Sequence, residues 1–103
     1  MSQSVVHQPR VAWDGARAFV RAAHSPEYFG FAARLLDALG PDLYGALAST
    51  RQRLTAASVE SSDDDRFTAD VEASRWRVRL EELLRERPDL TSVVSELTAT
   101  VAR

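Results

Sequence analysis

Residues 64–87 read DDRFTADVEASRWRVRLEELLRER. Ala69, Ala73, Trp76, Leu80, Leu83 and Leu84 recur there at three- and four-residue spacing, the period of an amphipathic helix. A second apolar line, Phe67, Val71 and Val78, falls almost diametrically opposite the first. An ordinary surface helix carries a single apolar stripe. Two stripes imply either a central helix with neighbours on both sides or a face kept for a partner. Phe67, Val71 and Val78 are therefore the candidate partner-binding residues, read as an inner face against the first helix or as an intermolecular contact.

Working outward, Pro88-Asp89 breaks the pattern and starts a further helix, with Leu90, Val93, Val94, Leu97 and Val101 on one stripe. Upstream, residues 58–65 are rich in Ser and Asp and read as the longest internal loop. Asp63, Asp64 and Asp65 complement the positive end of the helix that follows. Before the loop, Pro41-Asp42 opens a helix carrying Leu43, Leu47, Leu54 and Ala57. Arg51, Gln52 and Arg53 decorate much of its remainder. Ser25-Pro26-Glu27 starts an earlier one, with Tyr28, Phe31, Ala32, Leu35, Leu36 and Leu39 facing inward and Gly40 as its stop. The first helix covers about 10–24, on Ala12, Trp13, Ala16, Phe19, Val20 and Ala23. No segment alternates strictly, so no strand is expected. The sum is an all-α bundle of about five helices forming one domain over 1–103, with 1–9 flexible. Its core is expected to hold Phe19, Leu35, Leu39, Leu47, Leu54, Trp76, Leu80, Leu83, Val94 and Leu97.

Composition bounds the rest. With 103 residues there is room for one core. The 45% hydrophobic and 27% charged content is that of a globular protein. All 13 basic residues are Arg, and Lys, Ile, Asn and Cys are absent. That bias points to a high-GC genome, such as an actinobacterial one. Without Cys there is no disulfide, thiolate metal site or cysteine nucleophile, which fits the cytoplasm. No signal-peptide pattern opens the chain and no membrane span is expected. The net charge of −2 gives no general attraction to nucleic acid.

Motifs that would carry chemistry are incomplete. His7 and His24 have no local carboxylate and no His at helical spacing, so neither reads as a metal ligand or base. Asp63-Asp64-Asp65 lacks the alternating oxygens, the Gly turn and the distal Glu of a calcium loop. Arg75, Arg77 and Arg79 interleave with Trp76 and Val78. Alternate helix positions diverge by about 160°, so these three form a salt-linked surface with Glu72, Glu81 and Glu82 rather than one patch. Glu81 is placed to pair with Arg85. Trp13-Asp14-Gly15 contains a W-x-G triplet. Secreted helical hairpins carry that triplet in a central turn, whereas here it lies near the start of a helix. Residues 35–53 have the outline of a helix-turn-helix with Gly40 in the turn. Pro41 and the bulky Leu36 do not suit that motif.

Arg75-Trp76-Arg77-Val78-Arg79-Leu80-Glu81-Glu82-Leu83-Leu84, then Pro88-Asp89-Leu90 and Val94…Leu97, is similar to the C-terminal W-x-x-x-L-x-x-L-L…P-x-L element of small actinobacterial helical proteins. Many of those proteins are uncharacterised or resemble effector-associated adaptor domains of bacterial conflict systems. The resemblance covers about the last 30 residues and implies an interaction role, with no functional residue carried over. The expected function is thus a non-enzymatic protein–protein interaction or adaptor module, binding a protein partner or itself as a homodimer. No catalytic residue, cofactor or metal is expected. The alternative is a small helical DNA-binding or transcription-associated regulator. A third possibility is an apolar small ligand between helices.

Overall fold

A computed structural model describes residues 8–60 and 62–101. The chain forms α1 (Gln8–Ala23), α2 (Tyr28–Leu39), α3 (Pro41–Glu60), α4 (Ser62–Glu86) and α5 (Thr91–Val101). A 3-10 turn, Pro88–Leu90, precedes α5. No strand occurs among the described residues. The all-α bundle of five helices is as the periodicities predict.

The helix at the centre is α1, not α4. It packs most extensively on α4, and also on α5, α3 and α2. Its sequence explains this position. Ala12, Ala16, Ala18, Ala22 and Ala23 are buried along it, and these small side chains let neighbouring helices approach on several sides. Gly15 marks a tight crossing: a Cβ there would sit 3.0 Å from Val94 Cγ1 and 3.1 Å from Leu80 Cδ1. Phe19 supplies the bulk, with its ring edge-on to both Phe31 and Trp76 at 5.3 Å.

Helix ends follow their punctuation. The Ser25 hydroxyl accepts the Glu27 N–H at 3.0 Å. Gly40 has φ +99°, open to glycine and strained for other residues, and its N–H closes α2 onto the Leu36 carbonyl at 3.0 Å. The Thr91 hydroxyl donates to the Pro88 carbonyl at 2.8 Å, fixing the turn into α5.

Of the expected core, Phe19, Leu35, Leu47, Leu54, Trp76, Leu80, Val94 and Leu97 are buried. Leu39 and Leu83 pack at its margin, partly exposed. The loop expected over 58–65 is corrected. α3 continues to Glu60 and α4 begins at Ser62, so the Ser- and Asp-rich segment is spent on helix ends. Residues 63–65 fall in the first turn of α4. Of the residues expected to be flexible, 1–7 lie outside the described residues, and Gln8 and Pro9 begin α1.

Candidate functional site

The two stripes of α4 have different fates. Ala73, Trp76, Leu80 and Leu84 are buried against the bundle. On the opposite side Phe67 is 70% exposed and Val78 46%, with Val71 half-buried between them. The outer stripe is therefore not an inner face against α1. α1 takes the Trp76 side, since Phe19 of α1 meets the Trp76 ring. α4 is 25 residues long against 16 for α1. With 1.5 Å of rise per residue, α4 is the longer helix by about 13 Å.

Beneath that surface lies a buried polar relay that the sequence did not disclose. Trp76 Nε1–H donates to Thr50 Oγ1 at 2.8 Å, and the Thr50 hydroxyl donates to Glu72 Oε1 at 2.8 Å. Arg53 grips the same carboxylate through Nε at 2.7 Å and Nη2 at 3.1 Å, and Arg75 approaches it at 3.4 Å. Burial alone would push the Glu72 carboxyl up. The hydrogen bonds from Arg53 and Thr50, with the charges of Arg53 and Arg75, outweigh it and hold the group below its ordinary range. The relay ties α3 to α4 and fixes the indole in place. Glu72 read as a surface residue because it is charged; its place beside Ala69, Ala73 and Trp76 on the helix wheel was the available signal.

Arg77 and Arg79 are also held locally. Arg77 pairs with Glu81 at 3.1 Å, so Glu81 is taken from the N-terminal side rather than by Arg85. Arg79 lies over the Trp76 ring at 5.2 Å. Trp13 sits within α1, not in a turn, with Arg17 and Arg77 at 4.9 and 5.4 Å from its ring.

The two helices of the candidate helix-turn-helix are joined by Gly40 alone. Arg51 donates to the Ala23 carbonyl at 3.0 Å and stacks on Tyr28 at 4.5 Å. Arg53 is bound to Glu72. Arg51 also borders a shallow groove of about 480 Å³ lined by Tyr28, Phe29, Ala48 and Thr55, with Phe29 73% exposed at its edge. Burial and the neighbouring Tyr44 push the Tyr28 hydroxyl up, with Arg51 opposing. A second cleft of about 420 Å³, between the end of α1, α2 and α5, is lined by Arg21, Glu27 and Arg34 as well as Phe31 and Val101.

His24 is exposed at the end of α1, and His7 lies outside the described residues. No group of His, Asp and Glu among the described residues is arranged to hold a metal ion. No described helix is long and apolar enough to cross a membrane. Comparison with family models, curated proteins and solved structures finds no match to this chain.

Proposed function

We propose that the chain is a non-enzymatic protein-interaction module whose contact surface is the outer face of α4, formed by Phe67, Val71 and Val78. One observation carries this reading: Phe67 and Val78 are 70% and 46% exposed on the side of α4 opposite the buried Trp76. None of Phe67, Val71 and Val78 belongs to the core cluster or packs against it. An aligned set of large apolar groups left in water marks association more often than chance exposure does. The buried carboxylate of Glu72, a candidate for chemistry by its burial, has both oxygens engaged by Thr50, Arg53 and Arg75. That favours a structural role for it.

DNA binding has weaker support. Arg51 and Arg53 are the basic residues that α3 would offer to DNA as a recognition helix, and both guanidinium groups are committed within the chain.

The test is Val71→Glu combined with Val78→Glu, compared with wild type for solution mass and for the proteins captured from the source cell. The double variant should keep its helical circular dichroism and lose mass or captured partners. A folded variant with unchanged mass and an unchanged captured set overturns the reading.

A further inference from the structure

The outer face of α4 carries a pattern that specifies what would cover it. Phe67, Val71, Ser74 and Val78 follow one another at spacings of four, three and four. This is the alternation of the two seam positions in a heptad. At 100° per residue they span about 60° of the helix circumference. That arc lies opposite Trp76, which is wholly buried. The sizes along the seam run large, medium, small, medium.

Two such helices set antiparallel, with a twofold axis between Val71 and Ser74, complement one another at the four layers from Phe67 to Val78. Phe67 of one copy meets Val78 of the other, and Val71 meets Ser74. The same register brings Asp70 across from Arg77 on the flank of the seam, twice by symmetry. Asp70 is exposed and makes no ion pair among the described residues. Arg77 is only partly exposed, placed between Trp13 and Glu81, so its charge stays close to α4. Sliding the copies by one heptad one way sets Val71 against Glu81 and Phe67 against Arg85. Sliding them the other way leaves Val78 without an apolar counterpart. The register that buries all the apolar side chains also sets Asp70 across from Arg77, and the like charges it opposes at the seam ends, Asp64 and Glu81, are met by the Arg77 that already pairs with Glu81.

We infer that the partner of this face is a second copy of the chain, docked antiparallel along α4 about a twofold axis between Val71 and Ser74. This rests on reading the outer face of α4 as an interaction surface, and it commits that surface to an isologous contact. The seam from Phe67 to Val78 is roughly 17 Å long, short for a permanent interface. Its association is concentration-dependent.

Sedimentation equilibrium on the pure chain at several hundred micromolar should give the mass of a dimer that falls toward a monomer on dilution. Val78→Glu should raise the dissociation constant at least tenfold with helix content unchanged. The sequence has no cysteine, so introduced thiols report the register. Asp70→Cys mixed with Arg77→Cys should form a mixed disulfide on oxidation, and neither variant alone should cross-link. The two Asp70 positions would lie five residues apart along the axis and the two Arg77 positions nine, roughly 7.5 and 13.5 Å, against two residues, roughly 3 Å, for Asp70 and Arg77; only the mixed pair comes near the ~7 Å Cα reach of a disulfide. A wild-type chain that stays monomeric overturns the inference. So does a dimer indifferent to Val78→Glu, or cross-linking of either cysteine variant with itself. The broader reading fails by a different result, a folded double charge variant in which solution mass and captured proteins are both unchanged.

Discussion

The Trp76 indole N–H and the Thr50 hydroxyl meet at 2.8 Å between α4 and α3, with both residues wholly buried. The hydroxyl both accepts from the indole and donates to Glu72. Thr50→Val keeps the shape and removes both functions. It leaves a buried N–H unpaired and takes one donor from a buried carboxylate, at about 1–3 kcal/mol for each group left unsatisfied. Thr50→Ser retains the hydroxyl and should cost less. Urea unfolding of the two variants measures the difference, and equal losses would show that the methyl group, not the hydroxyl, matters there.

Glu72 makes stability depend on pH in the acid range. Its folded-state carboxyl is held below the ordinary Glu value of 4.5, the net of burial opposed by stronger hydrogen bonds and charge from Arg53, Thr50 and Arg75. A depressed carboxylate contributes stability that is full above the unfolded value and is lost as pH falls through the folded one. Wild type should therefore lose stability below about pH 4.5 more steeply than Glu72→Gln. At neutral pH the Gln variant should be the weaker protein, by about 1–3 kcal/mol for lost charge-assisted hydrogen bonds. Parallel stability–pH curves for the two proteins would contradict the assignment.

The glycines separate packing from propensity. Gly15→Ala gains up to about 1 kcal/mol of helix propensity. Its new methyl group would press on Val94, a wholly buried β-branched side chain with little rotamer freedom. Overpacking of this kind costs about 1–3 kcal/mol, so the net effect should be destabilising. Gly45, within α3, has nothing within 4 Å of the position its Cβ would take. Gly45→Ala should raise the melting temperature. The pair of melting temperatures checks both signs.

What the sequence disclosed follows from side-chain size and charge. Leu, Phe and Trp at helical spacing placed the bundle and most of its core, because large apolar residues carry the period. The centrality of α1 was hidden, since its buried surface is mostly alanine, and alanine is at home on either side of a helix. Glu72 was hidden for the converse reason: a carboxylate normally marks the surface, and only Thr50 and Arg53, distant in sequence, make its burial tolerable. Ser and Asp at 58–65 punctuate helix ends as well as loops, and local composition does not separate the two. Of the candidate surface, its residues and their common face were legible. Its exposure was not, because whether α1 covers Phe67 or Trp76 depends on tertiary packing.

Val78 and Leu80 provide the sharpest check on that packing. They lie two residues apart, about 160° around the helix, with Val78 on the outer face and Leu80 wholly buried beneath Gly15. Leu80→Ala removes apolar atoms from a site that is walled by α1 and cannot readily collapse. The expected loss is about 2–5 kcal/mol. Val78→Ala removes atoms already in contact with water, and in a dilute monomeric sample it should cost less than about 0.5 kcal/mol. Chemical denaturation below the micromolar range isolates these folding terms from self-association. Equal losses, or a greater loss at Val78, would mean that α4 is rotated about its axis relative to the arrangement described, and the outer seam would then be core.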